Sequence, residues 1–195
     1  MTCRKKKKKR SVALLFGSFN PIHNGHVAIL EYLVNRSNAD EVRIVVSPES
    51  PFKEGNMVTA DERLAQVRAA IKATGMNVTV SDVEYHLEPP LYTINTLHYL
   101  DSTEPDCEHI LVMGGDNIAS LERWMRGAEI IRDYRIWVYP RTGTDAHAVL
   151  EDMKTRLEIK GISILDDAEI LDISSTMIRQ GLADGQDMSY YQPVK

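Results

Sequence analysis

A chain of 195 residues, 43% hydrophobic and 26% charged, has an ordinary globular balance and is long enough to bury one sizeable core. No apolar run is long enough to span a bilayer, and no secretory signal pattern is present. The two cysteines, Cys3 and Cys107, give neither a disulfide framework nor a metal-ligand spacing, so a cytoplasmic protein with no membrane association is expected.

Charge is unevenly placed. Arg4 to Arg10 are seven consecutive basic residues; taking them from 23 Lys+Arg leaves 16 against 28 Asp+Glu, so the body carries −12 although the whole chain carries −5. Residues 1–10 read as a solvated, disordered arm and residues 11–195 as a single domain. A tether to nucleic acid or an anionic surface is the competing, less favoured reading of the arm.

Val12 to Phe16 is an apolar run of strand length, bounded by Gly17, and predicts a strand buried on both faces. Gly17-Ser18-Phe19-Asn20-Pro21 is turn chemistry. From Gly25 the spacing is helical, with Val27, Leu30 and Val34 on one stripe and Asn24 as the expected cap. A helix start at the end of a buried strand is a cradle for phosphate. His23 and His26, three apart at that start, can point both rings the same way and donate to phosphate oxygens. Two zinc ligands are the competing reading, but a structural zinc site needs four.

Glu41 to Val46 predicts a second strand and completes a βαβ unit, hence parallel pairing. It runs into Ser47-Pro48-Glu49-Ser50-Pro51-Phe52-Lys53, a proline-stiffened loop at the ligand edge of an open α/β sheet, with Gly55 beyond it. Its Gly55 and proline content fits closure over a ligand. Thr59 and Glu62 have capping-box spacing ahead of a helix ending at Gly75, on which Arg63 and Arg68 are expected to be solvated or in helix salt bridges. Val78, Val80 and Val83 suggest a third strand. Tyr92-Thr93 opens a helix with core stripe Ile94, Leu97, Leu100.

His109 to Met113 predicts a fourth strand, and Gly114-Gly115-Asp116 a second ligand-facing turn where Asp116 can accept from ribose hydroxyls. A following helix is expected to carry Leu121, Trp124, Ile130 and Ile131. Arg135 to Tyr139 predicts a fifth strand, Ala148 to Leu157 a helix, and Ile162 to Leu165 a last strand. Ser174-Ser175-Thr176 is a hydroxyl-rich helix start with Arg179 one turn in, where its planar fork can reach phosphate oxygens. Alternating strands and helices predict an α/β fold with a doubly wound, mainly parallel sheet and helices on both faces.

Five of these segments carry a resemblance. His23-Asn24-Gly25-His26 and Ile173-Ser174-Ser175-Thr176-Met177-Ile178-Arg179 resemble the two signatures of the nucleotidyltransferase superfamily, whose fold is Rossmann-like. Ser47-Pro48…Pro51…Lys53, Tyr92-Thr93…Thr96-Leu97 and Asp116…Trp124…Ile131 resemble bacterial nicotinate mononucleotide adenylyltransferases within it. The resemblance implies adenylyl transfer from ATP to nicotinate mononucleotide, a step of NAD biosynthesis, with Mg²⁺ held mainly by phosphates and water and no dedicated protein metal site. It implies catalytic roles for His23, His26 and Arg179. ATP contacts would come from Gly17, Ser18, Phe19, His23, Gly25, His26, Asp116, Ile173, Ser175, Thr176 and Arg179. Mononucleotide contacts would come from Asn20, Lys53, Tyr92, Thr93, Trp124 and Arg141. The chain departs from the family at Phe52, where histidine is common, and at Thr142, where Arg-Pro-Gly is usual. Its segment after Gly181 is shorter than the usual C-terminal helix. Rival readings are a sister enzyme such as phosphopantetheine adenylyltransferase or a cytidylyltransferase, a non-catalytic nucleotide sensor, and a metal hydrolase centred on the two histidines. A homo-oligomer is compatible with the sequence.

Overall fold

A computed structural model of the chain describes residues 8–49 and 58–193. Ser50 to Met57 lie outside the described residues, and with them Phe52, Lys53, Gly55 and much of the proline-bounded loop; so do Met1 to Lys7, most of the basic arm.

Six strands make one sheet: β1 (Arg10–Gly17), β2 (Glu41–Val46), β3 (Thr79–Ser81), β4 (Cys107–Gly114), β5 (Arg135–Tyr139) and β6 (Gly161–Ile164). Their spatial order is β3-β2-β1-β4-β5-β6 and every pairing is parallel. Parallel neighbours need crossovers, and seven helices lie along the connections: α1 (Asn24–Arg36), α2 (Ala60–Thr74), α3 (Thr93–Thr103), α4 (Gly115–Ile118), α5 (Gly127–Asp133), α6 (Ala146–Arg156) and, after the sheet, α7 (Ser175–Ala183). This is the doubly wound, Rossmann-like arrangement that strand and helix alternation predicts.

Alternate strand residues face opposite layers. Ala13, Leu15, Ile44, Val46 and Val112 pack with Ile29, Leu30 and Leu33 of α1 and Leu64, Val67 and Ile71 of α2. Val12, Leu14, Val45, Leu111 and Val138 pack with Ile94, Leu97 and Leu100 of α3, Ile130 and Ile131 of α5, and Leu150 and Met153 of α6. Burial on both faces explains why the central strands read as apolar runs rather than alternating ones.

The structure corrects several local readings. Val83 is not in the third strand; β3 stops at Ser81 and Val83 opens a 3₁₀ turn, Val83–His86. The helix expected to carry Leu121 through Ile131 is broken. A 3₁₀ turn, Leu121–Arg123, is followed by Trp124 outside any helix, then by Arg126 with φ 55°, and only then by α5. Gly127 makes this break possible, because a Cβ there would lie 2.0 Å from the Leu121 carbonyl oxygen. His23, not Asn24, caps α1, and Asn24 Nδ2 donates to the Tyr190 carbonyl at 2.9 Å. The chain after α7 forms a 3₁₀ turn, Ser189–Tyr191.

The capping box of α2 is as expected: Glu62 N donates to Thr59 Oγ1 at 3.2 Å and Thr59 N to Glu62 Oε2 at 2.7 Å, with Gly75 left-handed at the far end. Thr59→Ala removes the first of these bonds and should lower the unfolding free energy by about 1 kcal/mol. Urea titration followed by circular dichroism would show this as a lower midpoint with unchanged slope; an unmoved midpoint would mean the box adds nothing.

Candidate active site

The carboxyl ends of the parallel strands share one edge of the sheet. Order β3-β2-β1-β4-β5-β6 puts β1 beside β4, where successive crossovers diverge to opposite faces; a crevice opens at such a switch point. The turns after β1 and β4 meet there.

The turn from Gly17 to His23 is held from outside itself. Phe19 adopts φ 46°, a left-handed conformation that is costly for a bulky residue, yet its ring is 3% exposed and lies over Gly17. Arg63 of α2 donates to the carbonyls of Ser18 at 2.7 Å, Ser47 at 2.9 Å and Pro48 at 2.7 Å. Arg63 is therefore not solvated, as its place in the first turn of α2 suggested, but 3% exposed, clasping the exits of β1 and β2 together. Arg68 is exposed and pairs at 2.8 Å with Asp82, outside its own helix rather than within it.

α7 closes the turn from the other side. Ser174 caps α7 by accepting from Met177 N at 3.1 Å. Ser175 Oγ donates to the Pro21 carbonyl at 3.0 Å, and Arg179 Nη1 to the Asn20 carbonyl at 2.7 Å. Arg179 Nη2 also donates to Thr176 Oγ1 at 3.0 Å. So the two hydroxyl- and histidine-bearing helix starts, more than 140 residues apart in sequence, share one wall.

His23 and His26 stack with ring centroids 3.7 Å apart and planes 26° from parallel, and Phe19 meets His26 edge-on at 4.9 Å. The His23 backbone N–H donates to His26 Nδ1 at 3.3 Å, so the neutral His26 ring carries its proton on Nε2. Burial, reinforced by the nearby Arg141 charge, holds His23 down to about 4 from an ordinary 6.5. Burial, then His23 and Arg141, push His26 well below its ordinary value too. Both rings are therefore neutral near pH 7. His23 Nδ1 is a buried ring nitrogen with no hydrogen-bond partner among the described residues. It lies 3.0 Å from where a Cβ on Gly25 would sit, so only glycine leaves room beside it.

Arg141, just after β5, joins these parts. Its Nη1 donates to the Ile173 carbonyl at 3.0 Å, and its side chain runs past Gly114 and Gly115. Asp116 is exposed at the start of α4, with Oδ1 reaching back over Gly114. The segment leading to α7 is pinned by Tyr139 Oη on the Glu169 carbonyl and Tyr32 Oη on Asp167.

Gly17, Ser18, Phe19, Asn20, His23, Gly25, His26, Asp116, Arg141, Ile173, Ser175, Thr176 and Arg179 are thus one connected group. Phe19 belongs to its floor, and the Asn20 side chain is 6% exposed. Tyr92 and Thr93 at the start of α3, and Trp124 ahead of α5, lie on the other layer's connections. Tyr92 is 42% exposed as the residue before α3, whose first helical residue, Thr93, is half-buried at the helix start. Trp124 is half-buried against the core with Nε1 donating to Ser120 Oγ at 3.3 Å.

Glu84 was not singled out from the sequence, and Thr96 was named only within the Tyr92-Thr93…Thr96-Leu97 resemblance. Glu84, 3% exposed, accepts from fully buried Thr96 Oγ1 at 2.8 Å and also bonds Ser47. Burial raises its carboxyl above the usual range. This ties the start of α3 to the exit of β2, so Thr96 is a strut rather than a ligand contact. Only the juxtaposition of a 3₁₀ turn and a helix reveals it.

Comparison with known proteins gives three findings. The cytidylyltransferase-like family model matches residues 14–181. A Bacteroides fragilis protein named probable nicotinate-nucleotide adenylyltransferase is 39% identical over 184 residues, covering 94% of this chain and 87% of that one; the protein of the same name from Christiangramia forsetii is 34% identical over 180 residues, covering 92% and 89%. The structure of Plasmodium falciparum nicotinic acid mononucleotide adenylyltransferase complexed with NaAD superposes with a TM-score of 0.76 at 17% identity, covering 93% of this chain and 88% of that one, a likeness of fold.

The His23 environment sets a pH dependence. The unfolded chain takes up this proton below about 6.5, the native chain not until about 4. Between those values the unfolded state binds more protons, so stability falls as pH drops through that window. In urea titrations at about pH 7 and about pH 4.5, His23→Gln should lose less stability than the wild type. Equal losses would contradict a buried, neutral His23.

Proposed function

The chain belongs to the cytidylyltransferase-like family and, within it, to the nicotinate-nucleotide adenylyltransferases, and on that premise we propose how its site transfers the adenylyl group of ATP to nicotinate mononucleotide, releasing pyrophosphate and forming nicotinate adenine dinucleotide. The observation that carries the mechanism is the pair of bonds, Ser175 to Pro21 and Arg179 to Asn20, that makes one site of two signature helix starts.

A phosphate monoester is largely ionised near pH 7, its second pKa being about 6. No general base is needed. A phosphate oxygen of the mononucleotide forms a bond to the α-phosphorus of ATP as the bond to the bridging oxygen breaks in line, and the electron pair leaves on pyrophosphate. The protein's contribution is positioning and stabilisation of developing charge. His26, neutral with its proton on Nε2, acts as a hydrogen-bond donor to a phosphate oxygen. His23 acts beside it. Arg179 supplies the fixed positive charge that the neutral imidazoles do not. Thr176 and Ser175, with the N–H groups of the first turn of α7, orient the β- and γ-phosphates. The Ser175 hydroxyl is engaged with Pro21 here, so its backbone N–H is the better phosphate donor. The Gly17–Asn20 turn and Ile173 line the nucleotide, Asp116 accepts from a ribose hydroxyl, and Arg141 and Lys53 add charge for phosphate groups.

The residues fit a magnesium ion that comes with the triphosphate. Asp116 is the exposed carboxylate at the β4 turn, and among the described residues no group of three candidate ligands lies at this edge. With Asp116 given to the ribose, such an ion would be held mainly by phosphate oxygens and water, and would supply charge neutralisation for the leaving pyrophosphate.

Acid is distinguished from amide at α3. A carboxylate only accepts hydrogen bonds, and the backbone N–H at Thr93 only donates; an amide NH₂ would face a donor. Trp124 stacks on the pyridine ring, and Tyr92 and Asn20 border it. No helix of the described residues is long and apolar enough to cross a membrane.

Pyrophosphate release should be measured with ATP, magnesium and, in parallel, nicotinate mononucleotide, nicotinamide mononucleotide and phosphopantetheine. The acid mononucleotide should exceed the amide by about tenfold to a hundredfold in kcat/KM, the cost of one mismatched donor, with no release for phosphopantetheine. His26→Ala should lower kcat about 10²–10³-fold, as loss of one transition-state donor does. Release with phosphopantetheine alone would overturn the acceptor; equal rates with acid and amide would overturn the role given to α3.

A further inference from the structure

The edge of the sheet opposite the active site holds a second cluster of chemistry. β4 begins there at Cys107, and its eight residues put this edge roughly 23 Å from Gly114, at about 3.3 Å per residue. Glu104 caps the end of α3, Cys107 starts β4, and His109 follows two residues on. One ligand atom from each lies within 4.8 Å of the others. Cys107 is 8% exposed and His109 2% exposed.

The orientation of His109 is fixed from behind. Its Nδ1 lies 2.7 Å from Asp101 Oδ1, and Asp101 Oδ2 accepts from Tyr134 Oη at 2.6 Å. A carboxylate accepts, so Nδ1 carries a proton, and in the neutral ring Nε2 presents a lone pair. That nitrogen is buried, has no hydrogen-bond partner among the described residues, and faces Glu104 Oε2 at 3.7 Å. A lone pair and a carboxylate oxygen aimed at one another across a gap repel unless a cation sits between them. A carboxylate behind a histidine whose other nitrogen points at a second ligand is also how proteins prepare histidine for a metal.

Charge at this edge is consistent with a divalent ion. Arg43 binds Glu41 at 2.9 Å and holds both oxygens of Glu104, at 2.7 and 3.1 Å. Arg10 pairs with Glu41 at 3.0 Å and hydrogen-bonds the Cys107 sulfur. With Cys107 as thiolate, one thiolate and the carboxylates of Glu41, Asp101 and Glu104 stand against two guanidinium groups. Two negative charges remain, which one divalent cation balances.

We propose that Glu104, Cys107 and His109 bind one thiophilic divalent cation of the zinc class, with Asp101 as the positioning residue behind His109. Thiolate, imidazole and carboxylate are the donors such ions take, and three protein ligands leave a fourth position for water. Binding releases the thiol proton to solvent. The ion would tie the end of α3 to the start of β4, far from the transfer chemistry.

The test uses the full chain with Cys3→Ser, so that Cys107 is its only thiol. Titration with Co²⁺ under reducing, anaerobic conditions should give one equivalent of a tetrahedral visible spectrum with a thiolate-to-cobalt charge-transfer band. Zn²⁺ should displace it. Adding Cys107→Ser should abolish the charge-transfer band. Adding Asp101→Asn instead should keep the band and weaken affinity about 10–100-fold, as loss of such a partner does. Adenylyl transfer should be unchanged in both. No saturable cobalt or zinc binding by the parent, or a charge-transfer band that survives Cys107→Ser, would overturn the proposal.

Discussion

Three carbonyl groups in one turn govern this molecule. The oxygens of Ser18, Asn20 and Pro21 are each taken by a side chain from elsewhere: Arg63 of α2, Arg179 of α7 and Ser175 of α7. A turn that puts Phe19 in a left-handed conformation at φ 46° directs its carbonyls away from the β-ladder, and buried carbonyls need donors. The donors lie 45, 159 and 154 residues away, so the turn takes its shape only when the whole sheet and its last helix are assembled. The site is thereby coupled to global folding rather than to a local loop. The same bonds hold the Arg179-bearing start of α7 against the turn that leads into the histidine pair, which brings two helix starts to one site.

Burial gives this site its chemical character. His23 and His26 are desolvated and sit near Arg141, so both lose their charge at neutral pH. A protonated pair would bind the triphosphate ground state strongly. A neutral pair offers directional N–H donors, and His26 has its donor set at Nε2 because Nδ1 accepts from the His23 backbone. Fixed positive charge is left to arginines, whose protonation does not vary over the working range. This division lets donors be aimed at charge that develops during transfer.

Much of this was legible in the sequence, for physical reasons. Strands buried on both faces cannot alternate, so Val12–Phe16 and His109–Met113 stood out as apolar runs. Thr59 with Glu62 and Ser174 at α7 are caps whose chemistry is local. What escaped depends on distant partners. Arg63 looks like any charged residue in a first helical turn; its burial is decided by carbonyls of β1 and β2 exits. The break at Trp124 follows from Gly127 meeting Leu121, not from the apolar spacing, which is helical throughout. His23 replaced Asn24 as cap because the His26 ring returns to the His23 backbone. Cys107 showed no metal spacing with Cys3, because its prospective co-ligands are Glu104 and His109, close by but of other residue types.

The central claim is that His26 and Arg179 act as one unit because the turn and α7 are clasped together. A double-mutant cycle on kcat/KM for pyrophosphate release tests it most directly, using His26→Ala, Arg179→Ala and both together. The account predicts that the double variant loses little more than the worse single variant. Losses that multiply would mean that the two signatures act independently, and would contradict it.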